Sequence, residues 1–532
     1  MIHNLQLRID PRTAATPSLL KVHASTILNV DANAIRDIVV KKRSIDARQR
    51  RVMINLTIDV YVGEDAPQSP LLNPVDYQDV SKAPQAVIVG AGPAGLFAAL
   101  RLIELGVRPI VLERGKDVDS RRIDMAQIAR RDIVDPDSNY CFGEGGAGAF
   151  SDGKLYTRSK KRGNIEKILQ IFCQHGASTD ILVDAHPHIG TDRLPVVIKA
   201  MRETIKRCGG EIHFSSRVTS ILLNKSGDLL SVEGVGTLDG ETYMGPVILA
   251  TGHSARDTYR MLLESGVAIE PKGIAIGVRL EHPQQLIDSI QYHNPQGRGK
   301  YLPAAEYSML TRVDDRAVYS FCMCPGGFVI PSASGPNQQA VNGMSPASRG
   351  TRWANSGMVV EILPEDVTKY SGTLKIMELQ EEIEKTFYDE SGMTQNAPAQ
   401  RMTDFVAARP STSLPPSSYA PGIHPARVDK LLPEPISRRL RKGFEEFGRK
   451  SRGFLTDKAI VVGCETRTSA PVRIVRDDES LCSVNIAQLF PAGEGAGYAG
   501  GIVSAGVDGE RAADALYNYC YRKSQPENYN IS

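Results

Sequence analysis

The chain has 532 residues, 41% hydrophobic and 23% charged, a balance that excludes a disordered or fibrous protein, and the length is too great for one ordinary core. Sixty-three Lys and Arg against 61 Asp and Glu leave a net charge of +2, so no global field favours nucleic acid or an anionic membrane. Eight cysteines are too sparse for a disulfide scaffold, Cys322 and Cys324 lack a second pair to complete a zinc site, and no apolar run approaches the roughly 20 residues that cross a bilayer. Met1–Asp10 carries no secretory pattern, so a cytoplasmic protein with no bound metal and no membrane partner is expected.

Residues 1–63 are expected to form a βαββ unit, with a strand near Asn4–Ile9, a helix near Ser18–Leu28 and strands near Ile38–Ile45 and Val52–Val62. The last strand alternates, placing Val52, Ile54, Leu56, Ile58 and Val60 on one face. Residues 64–84, with Pro67, Pro70, Pro74 and Pro84, form a linker. Residues 85–275 open with a strand, Ala86–Val89, a glycine turn, a helix stopped by Gly106 and a second strand, Pro109–Leu112. A helix near Ser120–Asp132 follows. Residues 276–455 change to mixed strands, Pro/Gly loops and helices near Thr373–Phe387 and Pro435–Arg449, the texture of an inserted substrate domain. Over 456–532 the first texture returns, with an apolar strand near Lys458, a Gly-rich turn at 493–501 and a closing helix.

The turn Gly90-Ala91-Gly92-Pro93-Ala94-Gly95 carries the dinucleotide signature in its proper context of strand, turn and helix. Gly90 permits the tight turn, Gly92 lets backbone approach a pyrophosphate, Gly95 lets the helix pack on the sheet, and the helix N-terminus faces the phosphates. Glu113 ends the second strand, followed by Arg114, where a carboxylate accepts hydrogen bonds from both adenosine ribose hydroxyls. Three further segments select FAD over NAD. Val247–Gly252 is a buried strand ending in the small residues Ala250, Thr251 and Gly252. Leu489–Glu494 resembles the second FAD motif of glutathione-reductase-like flavoproteins, in which an acid binds a ribityl hydroxyl; Gly493 and Glu494 match it, Glu replacing the usual Asp. Gly500, Gly501 and Ile502 begin a helix whose dipole stabilises negative charge on a reduced flavin. The loop Asn139–Leu155, NYCFGEGGAGAFSDGKL, resembles the segment over pyrophosphate and flavin in fumarate-reductase-like proteins, matching Gly145, Gly146, Ser151 and Asp152. Val218 sits where related folds touch adenine through backbone.

These strings, with ATGHSARD at 250–257, FCMCPGG at 321–327, TRTSAPVRI at 466–474 and PAGEGAGYAGGI at 491–502, resemble a bacterial family of uncharacterised FAD-dependent dehydrogenases. The resemblance spans most of the chain. It implies an α/β protein with a Rossmann-like FAD domain, an inserted α+β substrate domain and the small N-terminal unit. No second glycine signature follows a strand, so the electron donor is unassigned; NADH or NADPH docking transiently, or a partner, would supply electrons.

Five residues are candidates for chemistry or substrate binding. His253 is a candidate proton donor beside reduced flavin, because histidine titrates near neutral pH. Cys322 and Cys324, two apart on a strand, are expected to share one face, within the substrate domain and toward the flavin. Lys154, and with it Arg279, are candidate cations for an acidic substrate. The expected activity is hydride transfer between flavin N5 and a small organic substrate. The rival reading is an RNA-associated flavoprotein resembling tRNA-modifying FAD proteins, motivated by Lys41, Lys42, Arg43, Arg48, Arg50 and Arg51 on one hairpin and a basic run at 438–452; nucleic acid is not the expected partner, because a charged hairpin ordinarily serves as a solvated edge.

Overall fold

A computed structural model describes residues 1–69, 71–156, 163–227 and 229–522; Pro70 of the expected linker and the end of the expected last domain lie outside them. At the N-terminus, Met53–Val62 is the middle strand of an antiparallel sheet, flanked by Ile2–Ile9 and Ile35–Asp46. Its alternation works as the sequence requires: Ile54, Leu56, Ile58 and Val60 are buried with Leu20 and Ala24 of the helix Pro17–Leu28. The unit is tied down through Arg43, whose backbone exchanges hydrogen bonds with Val183 and Ala185 and whose Nε lies 2.6 Å from Asp184 Oδ1. The segment after it runs along the helix Ile165–Gln174. There Gln170 and Gln174 side chains stand in for a neighbouring strand, pairing with the backbone of Leu71, Asn73 and Val75 at 2.8–2.9 Å.

The first large sheet is parallel, in the order Leu489–Pro491, Val247–Leu249, Gln85–Val89, Arg108–Leu112, Glu211–His213. Its strands are short apolar runs, as burial on both faces demands. The helix Pro93–Glu104 is buried along most of its length between this sheet and the closing helix Ile502–Cys520. Small residues permit that contact: a Cβ on Gly509 would stand 2.1 Å from the Ala94 carbonyl oxygen. A separate antiparallel sheet, Val218–Ser226, Leu229–Thr237 and Thr242–Met244, follows the last parallel strand.

The second large sheet has seven strands, in the order Leu310–Val313, Arg316–Cys324, Trp353–Ile362, Ile274–Pro283, Ile460–Glu465, Ala397–Arg401, Ile423–Pro425. It is antiparallel except for the last pair. This corrects one boundary. The apolar strand after Lys458 pairs with Ile274–Pro283 and belongs to the second domain, not to the dinucleotide unit. The chain rejoins the parallel sheet only at Leu489. The carboxyl ends of the parallel strands face the second sheet, and the cleft between them holds the candidate site.

Candidate functional site

Three glycines shape the turn after Val89, each differently. Gly90 has φ +106, and a Cβ there would stand 2.7 Å from the Ala250 carbonyl oxygen. On Gly95 a Cβ would lie 1.9 Å from the Gly90 oxygen, so only glycine lets the helix seat on the turn. Gly92 is extended, and a Cβ there would meet nothing within 4 Å, because the position opens onto a cavity of about 340 Å³. Gly92, Pro93 and Ala94 line it, at a helix start with no side-chain cap. Gly500, Gly501 and Ile502 line it as well, with Gly501 at φ +146 starting a second uncapped helix. Two helix N-termini thus open on one cavity, each presenting unpaired N–H groups and the positive end of a dipole.

Glu113, buried at the end of its strand, accepts from the backbone N–H of Ala91 at 2.8 Å, Gly115 at 2.9 Å and Gly143 at 3.0 Å. It ties the glycine turn to the loop beyond. Its Oε2 has one partner and lines the cavity with Val218. Arg114 also lines it, but its charge is engaged by Asp137 and Asp257 at 2.8 and 2.9 Å, and its guanidinium lies over Phe142.

The loop 139–155 is organised by a residue the sequence reading passed over. Fully buried Arg121 donates to the carbonyl oxygens of Asn139, Glu144 and Gly146 at 2.7–2.9 Å. Burial lowers it to about 10, so it stays charged at neutral pH. Gly146 lines the cavity, whereas Gly145, at φ +79, turns toward Ile198, 2.4 Å from where its Cβ would be, and serves packing. Ser151 and Asp152 line the cavity; Ser151 Oγ donates to Gly148 and Asp152 is paired with Arg349 at 2.6 Å. In the second FAD motif Gly493, at φ +79, packs on Ala94, and its N–H is held by Asp508 at 2.8 Å. Beside it the Glu494 carboxylate faces the cavity with no hydrogen-bond partner among the described residues. Burial, with repulsion from Cys322, raises it to about 7. Ala250, Thr251 and Gly252 also line the cavity, and Thr251 Oγ is buried without a partner among the described residues.

Lys154, His253, Phe321, Cys322, Asn342 and Arg467 line the same cavity. Lys154 Nζ donates to the Met323 carbonyl oxygen, which leads it along the Cys322 strand. Burial, then Arg467, Arg256 and Lys272, pull His253 down to about 4, which favours the neutral imidazole, and its Nδ1 lies 3.1 Å from Ser254 Oγ. The expectation for Arg279 is corrected. It has no exposure, pairs with Glu465 at 3.2 Å, and donates to Asn355 and the Cys322 carbonyl at 2.8 Å, leaving nothing for a substrate. Nor do the two cysteines share one outward face. The strand bulges between Phe321 and Cys324, so Cys322 lines the cavity while Cys324 is sealed beneath it against Arg279. Arg467 forms a buried cluster with Glu384 and Arg256 at 2.8 Å, joining the domains behind His253; neither Glu384 nor Arg256 was singled out in the sequence.

Family models match three segments of the chain: a domain of unknown function over residues 1–61, an FAD binding domain over 84–134, and an FAD-dependent protein C-terminal domain-like family over 273–468. An uncharacterised protein of Clostridium beijerinckii is 39% identical over 538 residues, covering 97% of this chain and 98% of the clostridial one. The chain belongs to the same family as this clostridial protein. It is an FAD-dependent oxidoreductase. Among solved structures, similarity extends to a tetracycline destructase, Tet(51), at 13% identity, 84% and 83% coverage and a TM-score of 0.32. It extends also to a geranylgeranyl bacteriochlorophyll reductase-like protein of Thermoplasma acidophilum, at 13% identity, 82% and 79% coverage and a TM-score of 0.33.

The residues present fit the cofactor. Cβ atoms on Gly92, Gly252, Gly500 and Gly501 would all point into open space along the cavity, a cradle that larger residues would fill. Its walls leave Thr251 Oγ orphaned and Glu494 unpartnered, which are acceptor and donor positions suited to hydroxyl groups.

Proposed function

We propose that this flavoprotein moves a hydride between FAD and a small organic substrate admitted beside Cys322 in the cavity. One observation carries the reading: a single cavity is lined both by the glycine turn and Val218 of the first domain and by Phe321, Cys322 and Asn342 of the second. Bound FAD supplies an N5 position that takes or gives a hydride. Glu113 Oε2 would accept from the adenosine ribose, Val218 would border adenine, and the N–H groups of Ala94 and Gly95 would face the pyrophosphate. Glu494 and Thr251 would hold ribityl hydroxyls. The N-terminus of the Ile502 helix would hold negative charge at the pyrimidine side of the ring.

Around the substrate, Phe321 and Ile502 exclude water. The neutral His253 imidazole donates or accepts one hydrogen bond without adding charge, and its proton affinity rises when negative charge develops nearby. Lys154 supplies the cation for a carboxylate or enolate. The reductant comes from outside the chain, NADH or NADPH being the first candidates. The RNA-associated reading has less support, because Lys41, Arg43 and Arg48 of the basic hairpin are engaged by Asp59, Asp184 and Asp46.

The test is anaerobic mixing of the holoprotein with NADH and NADPH, then a screen for organic compounds that reoxidise it. Bleaching of the flavin and its recovery with a small organic acceptor is expected. A flavin that is reduced but returned only by oxygen would overturn hydride transfer to an organic substrate.

A further inference from the structure

In a regular strand, side chains two residues apart stand side by side, separated by roughly 6.5 Å. Cys322 and Cys324 depart from that spacing. Register passes from Phe321 opposite Gly357 to Cys324 opposite Asn355, three steps against two, and Cys322 takes φ +46, a left-handed conformation uncommon outside glycine. The bulge folds the strand on itself, so that the Cys324 thiol reaches back to the Cys322 carbonyl oxygen at 3.3 Å. One sulfur belongs to the cavity; the other has no exposure and lies 3.2 Å from Arg279 Nη2.

We propose that Cys322 and Cys324 form a redox couple, a dithiol that closes to a disulfide on the cavity wall and passes its electron pair to FAD. The proposal rests on the reading of this cavity as the flavin site. In the forward step Cys322 reacts as its thiolate: an S–S bond forms and the Cys324 S–H bond breaks. The two electrons and that one proton take oxidised FAD to its reduced anion, and the reverse step restores the thiolate and thiol. Cys322, the one within reach of solutes, would exchange with small thiols or disulfides; Cys324 would resolve the exchange. The electrostatics agree with this division. The Cys324 S–H, Lys154 and Arg279 hold the Cys322 thiol well below its usual range, whereas Cys324, sealed beside it, is pushed up.

The experiment is a reductive titration of air-equilibrated holoprotein with dithionite under nitrogen, following flavin absorbance, with alkylation and mass spectrometry of the Cys322 peptide before and after. Wild type is expected to take about twice the reductant that its flavin alone requires, since the couple stores a second electron pair. The oxidised protein should yield a Cys322–Cys324 linked peptide that reduction abolishes. Cys324→Ser should take only the flavin's share and show long-wavelength absorption from a Cys322 thiolate lying against oxidised flavin. Wild type taking only the flavin's share, with both thiols open to alkylation beforehand, would overturn the couple and leave the site reading intact. A linked peptide in wild type, with an unaltered flavin spectrum in Cys324→Ser, would overturn the site reading and the electron transfer with it.

Discussion

Replacing Glu113 with alanine separates a cofactor contact from a structural one. The carboxylate accepts three backbone N–H groups at 2.8–3.0 Å, from Ala91, Gly115 and Gly143, in a pocket where Glu113 is 5% exposed. Each buried donor left unmet costs about 1–3 kcal/mol, and water entering the vacated space recovers part of that, so the apoprotein should lose about 3–6 kcal/mol. FAD affinity should fall further, because the Ala91 turn and the Gly143 loop are no longer tied together. The assay is urea unfolding of FAD-stripped wild type and variant, followed by FAD titration of each. An apoprotein as stable as wild type, with weakened FAD binding only, would refute the reasoning by making Glu113 a ribose ligand and nothing more.

Two glycine variants should behave oppositely. Gly92→Val, at a position whose Cβ meets nothing within 4 Å, should leave the apoprotein folded and abolish FAD binding, while Gly95→Ala, with 1.9 Å to the Gly90 oxygen, should destabilise the fold itself; circular dichroism melts and flavin content distinguish them. Arg279→Met leaves Glu465 buried without its partner and should cost about 3–5 kcal/mol, and the pH profile of Cys322 alkylation should move upward with the cation gone. His253 is held at about 4 against 6.5 in the unfolded chain. The unfolded state therefore binds more protons between those values, so this residue's contribution is complete above the upper one and lost as pH falls toward the lower; the acid-side drop in urea midpoint should be shallower in His253→Gln. Glu494 runs the other way, its folded value of about 7 lying above 4.5, so its contribution fades as pH rises. Glu494→Gln should flatten the decline between about pH 4.5 and pH 7, read by the same unfolding series.

The legible parts of the site were the local ones. Gly90, Gly92, Gly95 and Glu113 belong to one strand, turn, helix and strand, so spacing alone carries their geometry, and the structure gives each glycine a distinct steric setting. What depended on distant partners was not legible. The Ile460–Glu465 strand is an apolar run that would suit either sheet, and only its pairing with Ile274–Pro283 assigns it. Gly145 and Gly493 carry the right residue type, yet they meet Ile198 and Ala94 rather than open space. Arg279 looked free because Glu465 and Asn355 lie 186 and 76 positions away. Strand alternation failed at Cys322 because a bulge, which leaves no mark in the hydrophobic pattern, intervenes. The Arg256, Glu384 and Arg467 cluster was hidden for the same reason, its members coming from three separate elements.

The proposed function places the isoalloxazine between the Ile502 helix and the Cys322 strand. A crystal structure of the FAD-loaded protein tests it most directly. Density for the ring in van der Waals contact with Gly501 and Cys322, with adenine beside Val218 and the ribose on Glu113, is the predicted result. A flavin whose ring lies outside this cavity, leaving Cys322 and His253 facing solvent alone, would contradict it.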